Sequence, residues 1–319
     1  MLRALVPATS ANLGPGFDAL GLAVDLRLTV SAEPAARDEF IYRTVLAGAE
    51  VESSAEADGS VPAADGNLVH AGFKAVYGEV GVEPPPMRLT VDNPIPLARG
   101  LGSSSAALVA GAALADAMLD GPIGRDGVFR LTAAMEGHPD NVGPAVYGGF
   151  TVAAPDEDGR FVAATLQVPD SWTLLFGVPA FELPTTEARA ALPNQHSTAD
   201  TVLTSARAAL WVAAVSLDAP QLLRTASLDV LHQPHREPLV PGLARTIASL
   251  RHAGAYAAFL SGAGPTVGAV VGAETADACE AVMREFVTVG APRQTTLGGR
   301  RAGTVLRLRT ATGYVVDRW

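Results

Sequence analysis

A two-domain α+β chain is predicted by three observations: length, apolar content and the order of the periodic segments. At 319 residues the chain is long for a single core, and roughly two domains is the ordinary expectation at that length. Hydrophobic residues make up 48% and charged residues 18%. That leaves enough apolar surface for sizeable cores and excludes wholesale disorder. Strand-like alternation and helix-like periodicity succeed one another in mixed order, with no internal repeat.

The opening reads as a strand over 2–6, a Gly- and Pro-rich loop over 8–16 and a second strand around 22–30. Residues 47–66 combine small, acidic and turn-forming residues and read as an exposed excursion. A helix is predicted over 67–80; the prolines at 84–86 interrupt it, and 87–91 alternates as a strand running into Asn93 and Pro94. Residues 104–119 begin with hydroxyls and continue apolar nearly all round, the pattern of a buried helix. A helix over 126–136 and a glycine turn into a strand at 149–153 complete the first unit. After a turn at 155–159, strands at 161–168 and 172–178 open the second. Helices at 199–217 and 241–253, strands at 255–260 and 266–271, a helix at 274–287 and a strand at 304–309 follow. The expected domains are 1–158 and 159–319.

The net charge of -10 would repel phosphate backbones, which are bound largely through Lys and Arg, so a nucleic-acid partner is not expected. Lys74 is the single lysine; an anion site here has to use arginine, hydroxyls or backbone amides. The single cysteine, Cys279, supports neither an internal disulfide nor a cysteine-rich metal site. The start reaches Pro7 before a signal-peptide apolar core develops, so a cytoplasmic location is expected. The apolar run at 106–115 stops at Asp116, short of the roughly 20 residues of a membrane span, so no membrane association is expected.

Four constellations carry chemistry. Residues 94–106, PIPLARGLGSSSA, place a glycine turn between a strand end and a long helix. Gly100 and Gly102 permit close backbone approach, and the free amides and dipole of the helix start favour a phosphate. Ser103, Ser104 and Ser105 add hydroxyls for phosphate oxygens or Mg²⁺. A tight turn with a serine cap explains the pattern equally well. It is neither a Walker A loop, since Gly-Lys-Ser/Thr is absent, nor a dinucleotide fingerprint. Residues 136–144, EGHPDNVGP, crowd Glu136, His138, Asp140 and Asn141 at a helix end. One carboxylate there can hold Mg²⁺ and another can accept or orient a hydroxyl, although a solvated polar turn accounts for the composition too. Residues 261–266, SGAGPT, form either a bland glycine hairpin or a backbone loop that closes over phosphates or buttresses the serine loop. In the opening loop, Asn12 and Asp18 can bind an amine or hydroxyl. Arg189 and Arg236 can each fork onto a carboxylate or lie on the surface. His232 and His235 lack a third ligand at zinc spacing.

Taken together and in order, PATSANLGPGFDALG, ARGLGSSSAA, EGHPDN, TTEARAALP, HQPHRE and SGAGPT resemble the homoserine kinases of the GHMP small-molecule kinase superfamily. The resemblance implies an N-terminal ribosomal-protein-like α+β domain and a C-terminal ferredoxin-like α+β domain. ATP and substrate would lie in the cleft between them. It also implies Mg-ATP-dependent phosphorylation of the L-homoserine hydroxyl on the route to threonine, and a homodimer. By the same resemblance, Pro96, Arg99, Gly100, Leu101, Gly102, Ser103, Ser104 and Ser105 would surround the phosphates, with Gly262 and Gly264 facing them and Asn67 near the nucleoside. Ser104 and Glu136 would hold Mg²⁺. Asn12, Asp18 and His138 would surround homoserine, Asp140 with Asn141 would meet its hydroxyl, and Arg189 with Arg236 would clamp its carboxylate. A kinase for another small alcohol and a non-catalytic ATP or amino-acid sensor are the alternatives.

Overall fold

The computed structural model describes residues 1–46, 49–54, 67–289 and 303–318. Two sheets organise them. The larger has β1 (Leu2–Asn12) and the 19-residue β2 (Gly16–Pro34) at its centre, paired antiparallel along almost their whole lengths. The outer edge of β2 is shared. Its end pairs with β5 (Met87–Asn93), and its beginning with β6 (Phe150–Pro155), which in turn pairs with β7 (Phe161–Leu166). β3 (Glu39–Leu46) lies parallel to β5 and antiparallel to β4 (Ala49–Ser54), and β12 (Val315–Arg318) returns to the free edge of β1.

The first sheet is covered by α1 (Leu68–Val80), α2 (Ser103–Met118), α3 (Gly124–Glu136) and α4 (Val142–Tyr147). The all-round apolar sequence of α2 matches its position, with its residues buried from Ser105 almost continuously to Asp116. Gly72 and Gly111 let α1 and α2 approach closely: a Cβ on either would meet a backbone carbonyl of the other helix.

The second sheet runs β11 (Thr304–Leu308), β8 (Thr173–Val178), β10 (Val267–Val271), β9 (Ala257–Leu260), every neighbour antiparallel. With α9 (Leu243–His252) and α10 (Ala276–Val289) as its covering helices, this is the ferredoxin-like order that the resemblance implied. Alternation along the strands separates two cores. Leu175, Ala258, Leu260 and Val271 pack towards α9 and α10. Leu174, Phe176, Phe259 and Val270 join Trp211 of α6 (Thr198–Ser216) and the core of the first sheet.

Several expectations need correction. The loop expected over 8–16 is mostly strand: Ala8 to Ala11 pair with Val24 to Gly21, and only 13–15 turn. Small side chains and buried hydroxyls let this polar stretch remain inside the sheet, with register shifts after Pro7 and Ala11. Part of the excursion expected at 47–66 is β4; residues 47–48 and 55–66 lie outside the described residues. A cut between 158 and 159 leaves β7 and β12 across the divide from their sheet. Three further short helices, α5 (Thr185–Ala190), α7 (Leu223–Ala226) and α8 (Gln233–Arg236), are too brief to show a period. Among the described residues, no helix is long and apolar enough to cross a membrane.

Candidate active site

The serine loop is built by close backbone contact. Gly100 and Gly102 both have positive φ, at 75° and 69°, and a Cβ on either would collide, with the Ser261 carbonyl and Thr9 Oγ1 respectively. Gly102 caps α2 without a side chain, so the first amides of that helix are left for a ligand. The SGAGPT segment braces this loop. Ser261 Oγ donates to the Gly100 carbonyl at 2.6 Å and shares a hydrogen bond with Ser10 Oγ, while the Gly262 amide donates to the Ala11 carbonyl. Thr9 closes the circuit from the other side, its amide bonded to the Leu101 carbonyl.

At the end of α3, Gly137 adopts a left-handed conformation and turns the chain, bringing Glu136, His138 and Asp140 together. Ser104 Oγ donates to Glu136 Oε1 at 2.8 Å. Glu136 Oε2 and Ser105 Oγ are both buried and, apart from their approach to one another, have no hydrogen-bond partner among the described residues. Burial lifts the Glu136 carboxyl above its ordinary pKa, against the pull of the neighbouring serines and His138. A buried carboxylate beside serine hydroxyls at a helix start suits a hard, oxygen-seeking cation, so Ser104 and Glu136 fit Mg²⁺.

Asp140 is 2% exposed. Its Oδ1 accepts from His138 Nδ1 at 2.7 Å and from Asn141 Nδ2 at 3.3 Å; its Oδ2 accepts no hydrogen bond among the described residues. Asn141 is itself held by Thr9 Oγ1, which donates to Asn141 Oδ1 at 2.8 Å. Burial opposes charging of His138, but the bond and charge of Asp140, with Glu136 and Asp18 nearby, outweigh it and raise the imidazole pKa. Ligand atoms of Asp18, His138 and Asp140 lie within 4.8 Å of one another.

Arg189 donates from both Nη atoms to the two oxygens of Asp18, at 3.0 and 2.7 Å, so the fork suggested for a substrate carboxylate is engaged within the protein. The bond with Asp18 raises its pKa further. Arg236 is 2% exposed. Nε donates to the Ala188 carbonyl, and Nη1 to the Gly262 carbonyl and His232 Nδ1; Nη2 has no bond among the described residues. Burial, then repulsion from Arg189, lowers its pKa to about 10, which leaves it charged at neutral pH. Both guanidiniums face the ring of Phe17, at 5.4 and 5.5 Å from its centre.

One cavity of about 450 Å³ joins these groups. It is lined by the candidate residues Asn12, Asp18, Asn67, Pro96, Arg99 and Leu101, together with the glycines, Ser103, Ser104, Glu136, His138, Asp140, Asn141 and both arginines. Ser105 is buried behind it. Asn67 also caps α1, accepting from the Val69 amide, and Asn12 ties the opening turn to the Gly262 carbonyl. Arg99 spends its guanidinium on the carbonyls of Leu97, Pro179 and Ala180 and on Glu182. Sequence reading missed Phe17, Tyr42, Asn93 and Thr185 as lining residues. Phe17 adjoins Asp18 in the opening motif and was within reach; Tyr42 comes from a strand with no chemical signature.

Residues 67–149 match the family described as GHMP kinases N terminal domain, and 213–288 that described as GHMP kinases C terminal. A homoserine kinase of Thermus thermophilus is 50% identical over 268 residues, 84% of this chain and 86% of that protein. One of Deinococcus radiodurans is 43% identical over 261 residues, 82% of this chain and 81% of that protein. The crystal structure of homoserine kinase from Cytophaga hutchinsonii has a TM-score of 0.82 at 25% identity, covering 99% of this chain and 97% of that one. The likeness in sequence covers 84% of the chain and the likeness in fold 99% of it, and the chain belongs to the homoserine kinase family of GHMP kinases.

Proposed function

We propose that the chain transfers the γ-phosphoryl group of ATP to the side-chain hydroxyl of L-homoserine, yielding ADP and O-phospho-L-homoserine for threonine biosynthesis. The observation that carries this reading is the single cavity that has a phosphate-suited helix start at one part and an Asp-His-Arg cluster matched to an amino acid at another. The amino group of the substrate is received by Asp18, with Asn12 holding the turn, and its carboxylate by the free Nη2 edge of Arg236, with Arg189 adding charge. Asp140 Oδ2, the oxygen left open, accepts the hydroxyl hydrogen. The hydroxyl oxygen bonds to the γ-phosphorus as the bridging bond to ADP breaks, and its proton leaves towards Asp140.

A loose phosphoryl-transfer transition state asks mainly for alignment and charge neutralisation. His138 and Asn141 hold the Asp140 carboxylate in one orientation, and the α2 amides and Ser103 to Ser105 cradle the phosphates. Ser104 and Glu136 would hold Mg²⁺, which when bound with ATP neutralises phosphate charge. A cytoplasmic homodimer completes the reading; the buried free thiol of Cys279 accords with a reducing compartment.

The test is ADP formation by the purified chain with Mg-ATP and L-homoserine, L-threonine, L-serine or mevalonate. Homoserine is expected to give the highest kcat/KM, and the Asp140→Asn chain to lose kcat with its ATP KM unchanged. Turnover of another alcohol with none of homoserine would remove the assigned substrate, and bound ATP without any turnover would favour a sensor.

A further inference from the structure

His232 is wholly buried and does not line the cavity, yet it touches two of the parts that do. Its Nε2 lies 2.8 Å from the Gly14 carbonyl, a group that only accepts, so Nε2 carries the hydrogen. Nδ1 is then a lone-pair acceptor, and it receives Arg236 Nη1 at 3.2 Å. The ring also packs 5.4 Å from that of Phe17. Its backbone is fixed in turn: the Asp229 carboxylate accepts from the amides of Leu231, His232 and Gln233, and Gln233 Oε1 accepts from the Leu260 amide.

We propose that His232 is a positioning residue that sets the Arg236 guanidinium against the opening turn and thereby governs recognition of the substrate carboxylate. The inference rests on the reading of Arg236 as carboxylate anchor. Nε and Nη1 of Arg236 carry three hydrogens, and the carbonyls of Ala188 and Gly262 and His232 Nδ1 account for all three. The guanidinium plane is thus fixed, with the Nη2 edge left over. A carboxylate in the place of His232 would satisfy the same hydrogen but cancel the charge that a substrate anion needs. A neutral imidazole satisfies it without that penalty, and its other nitrogen fixes the turn that precedes Phe17 and Asp18. Burial first, and Arg236 with it, hold the ring neutral against the opposing charges of Asp229 and Asp18 and the Gly14 bond.

The test compares L-homoserine with 3-aminopropan-1-ol, the same skeleton without the carboxylate, in the full chain with Mg-ATP, as turnover or as Kd where turnover is slow. The His232→Leu chain is expected to lose about tenfold or more with homoserine, the scale of one charged hydrogen bond. Its loss with the amino alcohol, which shares only the amino-group contact, is much smaller and its ATP KM stays unchanged, and His232→Gln, which keeps a donor and an uncharged acceptor, recovers homoserine recognition. Equal losses with both substrates, or an ATP KM that rises in parallel, would show a merely structural histidine and overturn the proposal. A wild-type chain that does not distinguish the two substrates would instead refute the carboxylate anchor itself. Should the leucine variant not fold, ¹⁵N NMR of the wild-type histidines decides. A neutral Nε2–H ring at pH 7 whose Nδ1 signal moves with homoserine but not with the amino alcohol supports the assignment. A protonated ring, an Nδ1–H tautomer or an unmoved signal contradicts it.

Discussion

Glu136 illustrates how a candidate site side chain weighs on the fold around it. Its carboxyl is lifted by burial, against the opposing pull of Ser105, His138 and Ser104. A carboxyl whose folded pKa lies above its unfolded one contributes stability below the unfolded value, and that contribution is lost as pH rises through the folded value. The metal-free chain is therefore less stable at neutral pH for having Glu136 ionised. Glu136→Gln is expected to raise the urea midpoint at pH 7 without Mg²⁺, with the advantage vanishing as pH falls below the ordinary carboxyl value of 4.5. The same change should reduce kcat/KM by more than about 100-fold, because it removes a proposed metal ligand. Equal stability at all pH values would show that the ionised carboxylate is not strained there. The grouping of Glu136, His138 and Asp140 was legible in the sequence because one tight turn joins them within five positions. His232 was legible only as part of HQPHRE and as a histidine without the ligands of a zinc site: a spacing test asks what a residue ligates, whereas its place in the structure depends on what it is buried against.

At the scale of elements, the site depends on three loops that hold one another: the serine loop, the SGAGPT turn and the start of the chain. The glycines at the first of these are needed for space as much as for conformation. Gly102→Ala forces an alanine into positive φ and against Thr9 Oγ1, whose partner Asn141 orients Asp140. We expect a loss of about 1–3 kcal/mol in stability, measured by urea unfolding, and a larger proportional loss in ATP affinity, measured by calorimetry. Unchanged nucleotide affinity would mean that the loop does not bind phosphate. Long periodic elements such as α2, α3 and α10 were readable within a few residues. The second half of the opening strand was not, because glycine, proline and hydroxyl residues around it serve a buried strand and a turn at once. α4, α5 and α8 span six residues or fewer, below the length at which periodicity speaks.

Across the whole molecule, the two sheets are joined through a shared core around Trp211, Phe176 and Phe259, and the chain end returns to the first sheet as β12. Such strand order is set by which apolar faces meet in space; local periodicity contains no record of it, and the resemblance of the six motifs carried that expectation instead. The same distance between composition and site governs charge. On the proposed reading, a chain with net charge -10 would receive anionic groups because Arg189, Arg236 and the α2 amides face one cavity. The central claim is that this cavity joins ATP to an amino-acid hydroxyl, and ³¹P NMR of the purified chain with Mg-ATP and L-homoserine tests it most directly. The account predicts loss of the γ-phosphate signal matched by growth of one phosphomonoester signal, dependent on homoserine. Conversion of the γ-phosphate to inorganic phosphate alone, or no loss of ATP in a folded, ATP-binding sample, would contradict it.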